Sequence, residues 1–160
     1  MDPGSAGSDV VPPRDSRVAL FDDLCDRDRK AHARLAEELS VRLGLVVVAL
    51  AVEEATVLRL RLFERGRLVD EYLSVPEWRG PLPPGEVTAL ELEPLLVARL
   101  TGADAGALRA VARTAPTPAE LPPPGQLAEE LGALLGLHGA ARGYHPERPL
   151  PGAIRVEHPA

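Results

Sequence analysis

"TVLRLRLFERGRLVDEYLSVPEW", Thr56 to Trp78, is the stretch on which the fold turns. Leu58, Leu60 and Leu62 alternate with Arg59, Arg61 and Phe63, the period-two pattern of a half-buried strand. Arg65-Gly66 sits between Glu64 and Arg67, and the glycine supplies the positive φ that a two-residue hairpin turn needs. The return run, Arg67 to Val75, then pairs Phe63 with Leu68, Leu62 with Val69, Arg61 with Asp70, Leu60 with Glu71, Arg59 with Tyr72 and Leu58 with Leu73. One face collects Leu58, Leu60, Leu62, Val69 and Leu73. The other carries an Arg61–Asp70 ion pair and an Arg59–Tyr72 contact, each worth about 0.2–1 kcal/mol. Glu71 is the misfit, because this register puts it on the apolar face. A carboxyl there would have a raised pKa and could act as an acid or base; the simpler account is an arginine partner at the sheet edge, or a slipped register.

Upstream, "LGLVVVALAV" (Leu43 to Val52) is β-branched, short and apolar on both faces, the signature of a central strand covered on both sides. Glu53-Glu54-Ala55 is a short turn into the hairpin. Before it, Ala31, Leu35, Leu39 and Leu43 recur every four residues and make one helical stripe, with Asp residues at its start and Gly44 at its stop. "RVALF" (Arg17 to Phe21) is long enough for a short strand. Residues 1–15 are rich in Gly, Ser, Pro and Asp and read as a disordered tail, leaving 16–160 as a single domain. Downstream, "VPEWRGPLPPGE" (Val75 to Glu86) is a proline-stiffened loop. Short helices follow. Pro94 suits the start of one and Gly102 its stop, Asp104 caps a second, and "QLAEELGALLGL" is a third.

Composition excludes several jobs. The chain has 160 residues, 45% of them hydrophobic, enough for one domain with a real core. Aromatics are only 3%, too few for a base-stacking platform. A net charge of −6 repels phosphate backbones, which argues against nucleic acid as a partner. The longest apolar run is about half the roughly 20 residues that span a bilayer. The N-terminus has no secretory pattern, and Cys25 stands alone, so a cytoplasmic protein without an internal disulfide is expected.

No motif assembles a catalytic constellation. His138, His145 and His158 match no zinc spacing, and no metal or cofactor is expected. Asp22, Asp23, Asp26 and Asp28 lack the calcium-loop pattern and suit a helix start instead. They would also raise the pKa of Cys25, the wrong direction for a nucleophile. Residues 95–113 have the outline of a helix-turn-helix, but the second helix offers only Arg109 and Arg113 as donors, so two packed helices is the simpler account.

At the hairpin the chain resembles a family of uncharacterised bacterial proteins with the motif Y-x-x-G-x-L-V-D-x-Y-x-S-x-P-x-[YFW]. The matching residues are Leu62-Phe63, Gly66, Leu68-Val69-Asp70, Tyr72, Ser74, Pro76 and Trp78, with a closing match at Leu127-Ala128, Leu134, Gly136-Leu137 and Gly143-Tyr144. The match spans residues 40–150. It departs at Glu53-Glu54-Ala55, where the family carries aspartates, and at Leu73, where it carries Asn. The resemblance implies a fold and brings no activity with it.

The expected architecture is α+β: a small antiparallel β-meander of three to four strands (45–53, 56–64 and 67–75, with 17–21 at an edge) packed against a long helix at 27–43, followed by several short helices. The expected function is a non-catalytic binding or protein-interaction module whose partner is another protein or a second copy. The alternatives are an enzyme of unrecognised class acting on a small molecule, and a helix-turn-helix DNA-binding protein. The binding surface is expected at the hairpin's exit, on Tyr72, Pro76, Trp78 and Arg79, with Arg59 on the same face as Tyr72. Aromatic and arginine side chains are the commonest interface anchors, and prolines around them lower the entropy lost on binding.

Overall fold

The computed structural model describes residues 5–14 and 16–157. In chain order the elements are β1 (Gly7–Arg14), β2 (Arg17–Asp22), α1 (Asp23–Arg27), α2 (Arg29–Leu43), β3 (Val46–Glu53), β4 (Val57–Glu64) and β5 (Arg67–Leu73). Then follow α3 (Pro84–Thr88), α4 (Pro94–Thr101), α5 (Ala105–Val111), α6 (Pro124–Leu134) and β6 (Ile154–Glu157). The strands form two antiparallel sheets of three strands each, β3-β4-β5 and β2-β1-β6. The class is α+β, with the meander of β3, β4 and β5 at its centre.

The meander is a filled layer between helices. Leu58, Leu60, Leu62 and Tyr72 point to one face and are fully buried against Val97, Leu108, Leu127 and Leu131 of α4, α5 and α6. The opposite face packs Val47, Ala49 and Phe63 against Ala36 of α2. Asp28 separates α1 from α2, because its extended backbone ends the first helix. Its carboxylate then accepts from the amides of Lys30 and Ala31 to start the second. Gly44 ends α2 in the left-handed conformation.

The β4–β5 register follows the expected pairing only near the turn. Glu64 faces Arg67 and Phe63 faces Leu68, but Leu62 then faces Asp70, so Val69 is an extra residue on β5. This β-bulge moves every later residue of β5 by one position and so to the other face. Leu60 therefore faces Tyr72, and Arg61 faces Glu71. The expected Arg61–Asp70 and Arg59–Tyr72 pairs do not form. Glu71 leaves the apolar face for the polar one, and Tyr72 takes its place in the core.

Two further expectations are corrected. Residues 17–22 form a strand, but it lies in the second sheet and not at the edge of the meander. Residues 7–14, read from composition as part of a disordered tail, form β1, paired to β2 on one side and β6 on the other. Polar side chains make this possible. The Ser8 hydroxyl donates to Asp22 at 2.7 Å, and Arg155 on β6 binds both oxygens of buried Asp9 at 2.9 and 3.0 Å. Pro12 and Pro13, which lack an N–H, fall where the β1–β2 ladder shifts register. Residues 1–4 and 15 of the expected tail lie outside the described residues. No helix is long and apolar enough to cross a membrane among the described residues.

Candidate functional site

The exit of the hairpin is held by Ser74, which is itself buried. Its hydroxyl accepts from the Leu58 amide at 2.9 Å, its amide donates to the Leu58 carbonyl at 2.9 Å, and its carbonyl accepts from Ala115 at 3.0 Å. From this anchored point the chain turns, with the Trp78 amide donating to the Val75 carbonyl and the Gly80 amide to Glu77. The Glu77 carboxylate accepts from the Leu82 amide at 2.9 Å, so the loop is closed by its own polar groups as well as by its prolines.

Trp78 is half-buried at the rim of a cluster made by Val57, Leu73 and Val75, with Leu90 and Leu121. The Arg79 guanidinium lies 4.5 Å from the centre of the indole ring. The same guanidinium donates to Glu54 Oε1 at 2.6 Å. Glu54 belongs to the β3–β4 turn, where it and Ala55 both have positive φ. Arg79 is thus fixed from two sides while remaining exposed. Pro76, two residues before Trp78, is buried.

Tyr72 and Arg59, expected beside that surface, lie elsewhere and on opposite faces of the sheet. Tyr72 is inside the core, where its hydroxyl donates to the Arg113 carbonyl at 2.9 Å and burial raises its pKa. Arg59 points toward α2. It donates to Glu53 Oε1 at 2.5 Å and to Glu71 Oε1 at 2.6 Å, and Arg61 donates to the same Glu71 oxygen at 2.8 Å. Arg29 of α2 reaches the second oxygen of Glu53 at 3.4 Å. Burial works against the Glu53 carboxylate, but the hydrogen bond and charge of Arg59, with Arg29 behind it, hold its pKa below the ordinary value. His32 on α2 is kept neutral to lower pH than usual, by burial first and by Arg61 second, against the pull of Asp26 and Glu53. The network contains the arginine partner expected for Glu71 and adds the links of Glu53 to Arg59 and Arg29. Its signal in the sequence is Arg59 and Arg61 two apart on one strand face, but their partners depend on the bulge.

Each arginine and each glutamate of the cluster has a partner within it. Neither of two cavities in the molecule is lined by its residues. One cavity, of about 360 Å³, lies between β1, β2, α1 and α2 and is walled mostly by Val10, Leu20, Leu24, Leu35 and Val156. The other, of about 620 Å³, is open and sits on the loop from Arg142 to Arg148. Cys25 borders the first, and its thiol is pushed up to about 12 by burial and then by Asp22, Asp26 and Asp28. No group of three or more His, Cys, Asp or Glu side chains is placed to hold a metal ion among the described residues; His158 lies outside them. α4 and α5 form the expected helix pair, with Val97 and Leu108 in the core. The first turn of α5 is Ala105-Gly106-Ala107, which presents no side-chain donor to a base edge. Comparison of the chain with protein-family models, curated proteins and solved structures found no match in any of the three.

Proposed function

We propose that the protein is a non-catalytic interaction module whose partner-facing surface is centred on Trp78 and Arg79. The observation that carries this is the double restraint on Arg79, stacked on the half-exposed indole at 4.5 Å and paired with Glu54 at 2.6 Å. A side chain immobilised before binding loses less entropy in the complex. Trp and Arg are also the residue types that dominate binding energy when a partner covers them. The loop beneath is stiffened by Pro76, Pro81, Pro83 and Pro84. The fitting partner is a protein surface with an apolar recess for the indole edge and a carboxylate or carbonyl for the guanidinium.

The experiment is a quantitative capture of interacting proteins on wild-type, Trp78→Ala and Arg79→Ala baits, each checked by thermal melting. One stoichiometric protein retained by the wild type and lost from the folded Arg79→Ala bait is the expected result. A partner held equally by all three baits would put the binding surface elsewhere.

A further inference from the structure

β3 is a strand built for the middle of a sheet and left at its edge. Leu45 to Val52 is uncharged throughout and carries no proline, glycine or bulge. Those are the devices by which edge strands avoid pairing with other chains. The other edge of the meander is managed differently. β5 is bulged at Val69, the Leu73 amide is taken by the Leu90 carbonyl at 3.0 Å, and the Ser74 carbonyl by Ala115. Among the described residues β3 pairs with β4 on one side only. Its side chains show the consequence. β4 buries Leu58, Leu60 and Leu62 completely, whereas Val46, Val47, Val48, Leu50 and Ala51 are only half-covered, on both faces of the sheet. Val52 is 38% exposed and Leu45, just before the strand, 58%.

We propose that β3 pairs antiparallel with β3 of a second copy of this chain, joining two three-stranded meanders into one continuous sheet. Several features select a second copy over an unrelated strand. A two-fold axis perpendicular to the sheet presents the same eight residues to themselves, with matching hydrogen-bond donors and acceptors. The axis also maps each face onto itself. Val46, Val48 and Leu50 then extend the apolar layer under α6 across the junction, and Val47 and Ala49 do the same on the α2 side. With no charge between Leu45 and Val52, no like charges are set opposite each other. The added strand covers the side chains that the single chain leaves half-exposed. This surface is separate from the Trp78–Arg79 pair, and its test does not depend on that assignment.

The test is sedimentation equilibrium of wild type, Val52→Lys and a control, Leu95→Lys, on an exposed leucine of α4. Amide hydrogen exchange of the wild type is followed at high and low protein concentration. The expected result is a wild-type dimer at concentrations on the order of 100 µM. Val52→Lys should weaken it roughly tenfold or more, because the symmetry introduces the charge twice. Leu95→Lys should leave it unchanged, and the amides of residues 46–53 should gain protection as concentration rises. A wild-type monomer throughout this range overturns the proposal and leaves the edge to a strand of different chemistry. So does a dimer that Leu95→Lys weakens as much as Val52→Lys, or one that forms without added protection in β3.

Discussion

Arg59 and Glu71 meet at 2.6 Å on the α2 side of the meander, diagonally across two strands, because Val69 is bulged out of the ladder between them. Without the bulge, Glu71 would stand opposite Leu60 in the core. With it, one carboxylate serves two arginines, and Arg59 in turn bridges Glu71 to Glu53. Arg59 and Glu53 are both largely buried in this contact.

Arg59→Ala removes the shared cation and leaves two carboxylates facing each other in a poorly solvated place. A loss of about 2–4 kcal/mol is expected, the scale for uncoupling a largely buried charge pair. Urea denaturation at neutral pH measures it. Glu71→Gln should cost less, since the amide oxygen still accepts from Arg61. Equal and small losses in both variants would show that the network contributes nothing net.

His32 gives stability a pH dependence with a defined sign. Its folded pKa lies below its ordinary 6.5, so the unfolded chain takes up the proton first and stability falls as pH drops below that value. Glu53, depressed below 4.5, has its contribution in full above that value and loses it at lower pH. Asp70 runs the other way. Its pKa is raised by burial, so its ionised form is penalised and acid partly relieves it. The range just below pH 6.5 is therefore where His32 lowers stability as the pH falls. Wild type should lose stability across it, and His32→Gln should flatten the curve. An equal slope in the variant would assign the effect to another group.

The turn glycine has no room for a side chain. Gly66 has φ +77°, and a Cβ placed on it would lie 2.5 Å from Cγ2 of Val41 on α2. Its amide also donates to the buried Ser40 hydroxyl at 2.8 Å, so the turn cannot easily swing away. Gly66→Val should cost about 1–3 kcal/mol or more, from the strained backbone and the clash together. Gly44 is the control, with φ +63° and open space around it, so Gly44→Asn should be cheaper. Thermal melting of both variants gives the comparison.

Trp78 is neither a free surface ring nor a core one. Half-burial against Val57, Leu73 and Val75 sets an intermediate cost for Trp78→Ala of about 1–3 kcal/mol, less than full aromatic truncation in a core. Because it is the chain's one tryptophan, its fluorescence reports the site directly. Arg79→Ala uncovers one ring face and should increase acrylamide quenching with little change in melting temperature. Unchanged quenching would mean that the guanidinium does not stay on the ring.

Local chemistry was legible in the residues alone: the hairpin and its glycine turn, the helix α2 with Gly44 as its stop, the proline start of α4 and the Asp104 cap of α5. Each depends on neighbours within a few positions, through side-chain period, φ preference or a cap. The apolar stripe of α2 was not legible, since Leu43 is exposed and Ala31, Ala36 and Ser40 form the buried face. What the sequence could not decide were matters settled by distant contacts. The bulge at Val69 is signalled only by Glu71, a misfit on the apolar face of the unbulged register, and its position is set by the packing that draws Glu71 to Arg59 and Arg61 and Tyr72 inside. β1 looks like a tail because half of what holds it, Asp22 and Arg155, comes from other strands. The uncharged run before Glu53 determined a strand suited to cover on both faces. Only the tertiary structure put it at an edge, because residues 17–22 join β1 in the second sheet and do not pair with β3, which leaves β3 with β4 alone as its partner among the described strands.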